Sequence, residues 1–342
     1  MGAGLAAATT LLQALWVSEF TWIGLRGVFG FAAACLFMAI ESWLNDRATN
    51  ETRGRIFAAY LTVNFTGLII GQWLITVGRA SSTTLFIVAA VFYALCMIPV
   101  ALSLTPQPKT TDVPVLRPLQ LYQLSPVGVA GCIGVGLSNS AVWTFAPIYA
   151  QDLGMNKTMI ATFMVIFTIG GALVQLPLGR LSDHMDRRYI IAGICIASAA
   201  LGVLFYFFGG SSKASALIYI AIFGMAALPL YGMSVAHAND RLPRELFVEA
   251  SATLLLINAS ASAIGPVIAA LVTARAGMAS MFLYTASIHT LLLGFVIYRL
   301  SVSAAPAEET RDVFEPMPQT ASPIALELDP RSPEHENVQS AA

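Results

Sequence analysis

Apolar residues run along this chain in membrane-length stretches, separated by short seams carrying Gly, Pro, Ser or charge. A helix that crosses a bilayer needs about 20 predominantly apolar residues. The pattern predicts ten such helices, at about 2–17, 22–45, 55–78, 83–104, 126–150, 157–180, 189–209, 215–236, 247–273 and 279–300. The first run has the length of a signal-peptide core. It lacks a basic segment before it and a small-residue cleavage site before Trp16, which favours a helix.

Two segments break the rhythm. Residues 106–124 hold Pro106, Pro108, Pro114 and Pro118 with little periodicity and read as a linker. Residues 301–342 are rich in Pro, Ala, Ser and Glu and cannot bury enough surface to offset the entropy of ordering, so they read as a disordered tail. The expected domains are a helical bundle at 1–105, a linker at 106–124, a six-span bundle at 125–300 and the tail at 301–342.

The pattern also repeats. Asn45-Asp46-Arg47 recurs as Asn239-Asp240-Arg241, an offset of 239 − 45 = 194 residues. The same offset carries Glu51 onto Glu245, Ala58 onto Ala252, Asn64 onto Asn258, Ile70 onto Ile264 and Gly71 onto Gly265. Internal repeats of membrane-length runs are the building plan of secondary transporters. Subtracting 194 places the first-half twins of residues 126 and 179–188 before Met1, so the pattern predicts a first half of four spans, two short of the second.

Composition agrees with lipid as the main solvent. The chain is 57% hydrophobic and 11% charged, against about 25% charged residues in a typical soluble domain. A net charge of −1 gives no footprint for nucleic acid. The four cysteines sit inside apolar runs without CxxC spacing, as inert buried thiols would. Positive charge sets orientation. With ten spans, Arg47, Arg53, Arg55, Lys109, Arg117, Arg180, Arg187, Arg188, Arg241, Arg244 and Arg299 share one side, against Arg79, Lys157, Lys213 and Arg275 on the other. Both termini are therefore expected in the cytoplasm. No Walker A, HExxH or GxSxG pattern occurs, so ATP-driven transport and enzyme activity are not expected, and no cofactor or metal is called for.

The sharpest motif is Gly179-Arg180-Leu181-Ser182-Asp183-His184-Met185-Asp186-Arg187-Arg188. It resembles the loop signature of the major facilitator superfamily, G-x-L-[SA]-D-x-x-G-R-[RK]. Asp186 stands where that family has Gly, which puts the tight turn in question. Physically, Gly179 lets helix ends approach, Asp183 suits a helix N-terminus, and Arg187 and Arg188 supply partners for ion pairs. Such a cluster favours one arrangement of two helices. The expected latch is Gly179, Asp183, Arg187, Arg188 and Arg241, with Asp183 reaching Arg241 or Arg244; the bland alternative is a basic loop that only sets topology.

Glu41-Ser42-Trp43-Leu44-Asn45 with Arg47, Arg53 and Arg55 resembles the YcaD-like permeases of the same superfamily. Glu41 either pairs with Arg47 or Arg53 or is a protonatable group. Arg26, followed by Gly27 and Gly30, resembles a family motif; an arginine at that depth faces the bundle interior or a polar partner, or snorkels to the interface. Gly67 and Gly71 have the spacing of a close helix crossing, and Gly265-Pro266 that of a bending point. The resemblance implies an all-α two-bundle fold, here 4 + 6 helices, and a central cavity lined by Asn64, Gln72, Asn139, Trp143, Gln175, Tyr231 and Asn258. His289 is expected to be structural and His237, at a span end, solvated. The function so implied is secondary transport of a small organic solute by alternating access, with proton-coupled efflux favoured, by a monomer in the inner membrane. The alternative is a truncated, non-transporting membrane scaffold.

Overall fold

The computed structural model describes residues 1–48, 52–76, 83–98, 102, 117–242 and 246–303, with the side chains of 45–47, 53, 54, 247 and 248 left aside. The expected linker up to residue 116, the tail beyond 303, Arg244, and the side chains of Arg47 and Arg53 lie outside the described residues.

Among the described residues the structure is helical, and the helices form two compact units, α1–α4 and α5–α12. The first unit contains α1 (Gly2–Leu15), α2 (Glu19–Arg47), α3 (Arg53–Leu74) and α4 (Thr84–Leu95). The second contains α5 (Pro118–Leu124), α6 (Pro126–Asp152), α7 (Lys157–Asp183), α8 (Arg187–Phe208), α9 (Lys213–Ala227), α10 (Leu230–Asn239), α11 (Phe247–Ala276) and α12 (Ser280–Val302). Each of the ten predicted runs holds a helix. Eight stretches are long and apolar enough to cross a membrane, with α9 and α10 together making one; Gly2–Leu15 and Thr84–Leu95 are shorter. The count of ten spans is thus not reproduced among the described residues.

The repeat is visible in the helix boundaries. Adding 194 to Glu19, the first residue of α2, gives Lys213, the first residue of α9; adding it to Arg53, the start of α3, gives Phe247, the start of α11. Local chemistry explains several of these starts. Asn156 accepts from the Met159 N–H before α7, Asp186 from the Arg188 N–H before α8, and Ser212 and Ser215 form a reciprocal capping box before α9. Pro118, at the first turn of α5, makes the end of the expected linker helical, since the missing N–H is not needed there. Pro147, Pro177 and Pro266 lie inside continuous helices. At Leu228-Pro229 a span breaks in two, and every residue of the short α10 beyond that break is buried.

In the first unit α1 packs on α2 and α4, with Trp22 donating to the Gln13 carbonyl at 3.0 Å. In the second, α6 packs along α11, α12 and α10, α8 along α12, and α7 along α9. Its core is aromatic: Phe163, Phe167, Phe205, Phe223 and Phe282 are fully buried around Tyr149. The α6–α11 crossing is tight. A Cβ on Gly136 would sit 2.5 Å from the Asn258 carbonyl oxygen, and one on Gly265 would strike the Leu137 carbonyl. Gly265 therefore serves a close approach within a continuous helix. Gly67 and Gly71, expected at a crossing, would each meet nothing within 4 Å. The GxxxG spacing exposes a flat strip but does not supply a partner for it.

Candidate functional site

The expected latch is assembled at the junction of α7, α8 and α10. Asp186 caps α8 and receives Nε and Nη2 of Arg188 at 2.9 and 2.7 Å. That explains how this chain does without the family's glycine: the aspartate φ is ordinary, −59°, and its side chain replaces a tight turn with a cap and an ion pair. Burial raises the Asp186 carboxyl, but the hydrogen bonds and charge of Arg188 outweigh it and leave the group below its usual range. Arg188 continues to the last helix, where Nη1 donates to the Ser303 carbonyl at 2.8 Å.

Arg187, 1% exposed, takes a different direction. Its Nε donates to Oδ2 of Asp240 at 2.7 Å and its Nη1 to the Ser182 hydroxyl at 2.9 Å, with Asp183 at 3.6 Å. Arg187–Asp240 is a cross-helix pair that the sequence did not point to. Asp240 is the middle residue of the repeated Asn-Asp-Arg triplet. Arg241 lies beside it; burial first, then the charge of Arg188, hold its guanidinium below the usual range. Gly179 is buried, and its carbonyl accepts the Ser182 hydroxyl at 2.7 Å.

His237 corrects an expectation. It is not solvated but 1% exposed, and neither ring nitrogen has a hydrogen-bond partner among the described residues. Its position near the end of a span suggested water, but α10 is enclosed by α6, α8 and α11. His289 is buried, with Nδ1 hydrogen-bonded to the Thr285 carbonyl at 2.7 Å.

The polar positions expected to line a cavity fall into groups. Asn139, at the midpoint of α6, is 1% exposed, and both its amide atoms lack a hydrogen-bond partner among the described residues. On the packed neighbour α11, Asn258 is buried with Oδ1 likewise unpartnered. The serines flanking Asn139 differ from it: Ser138 donates to the Gly134 carbonyl and Ser140 to that of Gly136. Tyr231, on α10, is 3% exposed. Trp143 is half-buried and meets Phe167 edge-on, with ring centroids 5.3 Å apart, so it packs against the aromatic core. Gln175 and Gln72 are half-buried.

In the first unit Glu41 is fully buried and accepts a short hydrogen bond from the Tyr60 hydroxyl, which also hydrogen-bonds Asn64. Arg26 is exposed, with its guanidinium 5.5 Å from the Phe29 ring centroid. The structure therefore clusters the latch residues and joins Glu41 to Asn64, but keeps Arg26 apart. Tyr60, Asp240 and the capping role of Asp186 were missed. The repeat held the one available signal, because Asp240 lies inside it.

A bundle of apolar spans, two units in repeat register and a charged loop between neighbouring helices define a multi-pass membrane protein of transporter type. The family model of the Major Facilitator Superfamily matches residues 128–332, and the chain belongs to that family. It is 27% identical over 292 residues to the uncharacterized MFS-type transporter YcaD of Escherichia fergusonii, covering 84% of this chain and 74% of that one. It is 24% identical over 304 residues to an uncharacterized MFS-type transporter of Yersinia enterocolitica, covering 88% and 78%. Among solved structures, the E. coli fucose:proton symporter FucP is similar in fold, with a TM-score of 0.50 at 16% identity over 87% of this chain and 81% of that one.

Proposed function

We propose that this protein is a secondary active transporter that moves a small organic solute by alternating access, as a monomer in the inner membrane with both termini in the cytoplasm. The observation that carries this reading is Asn139, whose amide is buried at mid-span with no partner on either polar atom. An unsatisfied buried amide costs about 1–3 kcal/mol, and groups left so are commonly functional. Asn258 adds a second acceptor, with Tyr231, Gln175, Asn64 and Gln72 as further polar positions on the spans. No buried cation stands among these positions, which favours an uncharged or mildly amphipathic solute.

Protons are the proposed coupling ion and efflux the proposed direction. The similarity to a fucose:proton symporter supports proton coupling. The loop of Gly179, Asp183, Arg187 and Arg188, with Asp240 and Arg241, is the proposed latch that holds one conformation. The test is flux in proteoliposomes across a panel of uncharged and amphipathic organic compounds under an imposed proton gradient. Gradient-dependent flux that falls at least tenfold in Asn139→Leu supports the reading. A folded protein that moves none of them supports a non-transporting scaffold instead.

A further inference from the structure

Two spans of the second unit begin at the same end of the bundle, α6 at Pro126 and the apolar stretch of α11 at Glu249. The short α5 stands just ahead of the first start and packs on both helices. Such starts mark where the hydrocarbon of a bilayer begins, so α5 lies at headgroup level. Its outer side chains suit that place. Leu119 and Tyr122 are exposed, and tyrosine is enriched where lipid meets water.

A shallow groove separates α5 from the start of α11. Its lining is mostly apolar, with Leu121 and Leu124 from α5, Leu242 and Leu246 from the stretch between α10 and α11, and Ala250 from α11. Thr253 also lines it, but its hydroxyl is engaged with the Glu249 carbonyl at 2.9 Å. The two charged residues of the lining face each other across the groove. Arg117 Nε stands 3.6 Å from Glu249 Oε1, with the side chains 55% and 23% exposed.

An ion pair so open to solvent is worth about 0–1 kcal/mol. The contact of Arg117 with Gln120 Oε1 is also long, at 3.4 Å. Each charge can therefore turn to a new partner at little cost. A cation and an anion standing together beside an apolar groove match a headgroup that carries both signs. A guanidinium binds phosphate in a bidentate fork, and a carboxylate accepts from an ammonium. Phosphatidylethanolamine carries both groups two carbons apart, with acyl chains for the leucines. Phosphatidylcholine has the same charges, but its quaternary nitrogen has no N–H to donate to Glu249. Phosphatidylglycerol has no cation and would leave Glu249 facing an anion.

We propose that the groove between α5 and α11 binds an ethanolamine phospholipid of the bilayer, with the phosphate on Arg117, the ammonium on Glu249 and an acyl chain along Leu121, Leu124 and Leu246. The bound lipid fastens α5, and with it the chain leading into α6, to the start of α11. No covalent bond forms or breaks. The site is independent of the solute the protein carries.

The test is native mass spectrometry of the purified full-length protein in detergent, supplied in turn with dioleoyl phosphatidylethanolamine, phosphatidylcholine and phosphatidylglycerol. The wild type should retain one more ethanolamine lipid than Arg117→Gln does, and bind it at least fivefold more tightly than either other lipid. Glu249→Gln should still hold phospholipid but no longer distinguish the ethanolamine lipid from the choline lipid. Leu124→Trp fills the groove from its exposed side and keeps both charges; it should lose the lipid as Arg117→Gln does. The three altered side chains are all partly exposed, so the unfolding midpoints should stay near that of the wild type, and if one variant unfolds the other two decide. Equal retention in the wild type and the variants means boundary lipid only and overturns the site. Tighter binding of phosphatidylglycerol, or loss of lipid in Arg117→Gln with no effect of Glu249→Gln on the choice between lipids, overturns the assignment to an ethanolamine headgroup.

Discussion

The Arg187 guanidinium, at the start of α8, donates to the Asp240 carboxylate, at the end of α10, across 2.7 Å with both side chains almost wholly buried. Removing one member of a buried pair strands the other, at about 3–5 kcal/mol. Arg187→Ala and Asp240→Ala should therefore lower the unfolding midpoint clearly. Asp183 sits 3.6 Å from Arg187 with an 18% exposed side chain, so Asp183→Asn should cost less, about 1 kcal/mol or below. A thermal-shift series in detergent checks the order; an Asp183→Asn loss equal to that of Asp240→Ala would contradict it.

The same pair should govern conformation. If it latches α8 to α10, Asp183→Asn should raise cysteine labelling at a buried reporter, Ser234→Cys on α10, and Arg187→Gln should raise it further. Unchanged labelling in both variants would sink the latch.

Asp186 gives a pH signature. Its carboxyl lies below the ordinary range in the folded state. A group so depressed contributes stability that is fully present above its unfolded pKa, about 3.9, and lost as pH falls through the folded value. Wild-type stability should hold near neutrality and drop in acid more than that of Asp186→Asn. Asp186→Gly, which restores the family residue, should lose the α8 cap as well, worth about 1 kcal/mol. Unfolding midpoints measured from neutral to acid pH decide both.

The α6–α11 crossing predicts a contrast between glycines. Gly136→Ala places a methyl 2.5 Å from a backbone oxygen and should destabilise by about 1–3 kcal/mol. Gly67→Ala meets open space and should be neutral or slightly stabilising, since alanine favours helix by up to about 1 kcal/mol. Equal midpoints for the two variants would refute the tight crossing.

Asn139→Leu should raise the unfolding midpoint, because it removes an unsatisfied buried amide of similar volume, worth about 1–3 kcal/mol. The flux loss proposed for the same variant would then be loss of a site and not of fold. A fall in midpoint would show that the amide contributes to stability.

Much of this was legible from residues alone. The Asn45 and Asn239 triplets fixed the repeat, and the apolar runs located helices because lipid leaves a backbone few other choices. Asp183, Arg187 and Arg188 were recognisable from their resemblance to the superfamily's loop signature. Partners were less visible. His237 looked solvated because distance along a span says nothing about what surrounds its end. Gly67 and Gly71 advertised a crossing that the described residues lack, since small residues permit close contact without causing it.

The short helix that carries Tyr231, His237 and Asp240 has no residue on the molecular surface. It has no side that acyl chains can touch, unlike spans such as α2 and α11 with many exposed apolar side chains. Changes in bilayer thickness, lateral pressure or headgroup reach it only through the helices around it. The charged end of α10 is thus insulated from the lipid environment that bathes the rest of the protein, and its response to a mutation should be the same in detergent as in a bilayer.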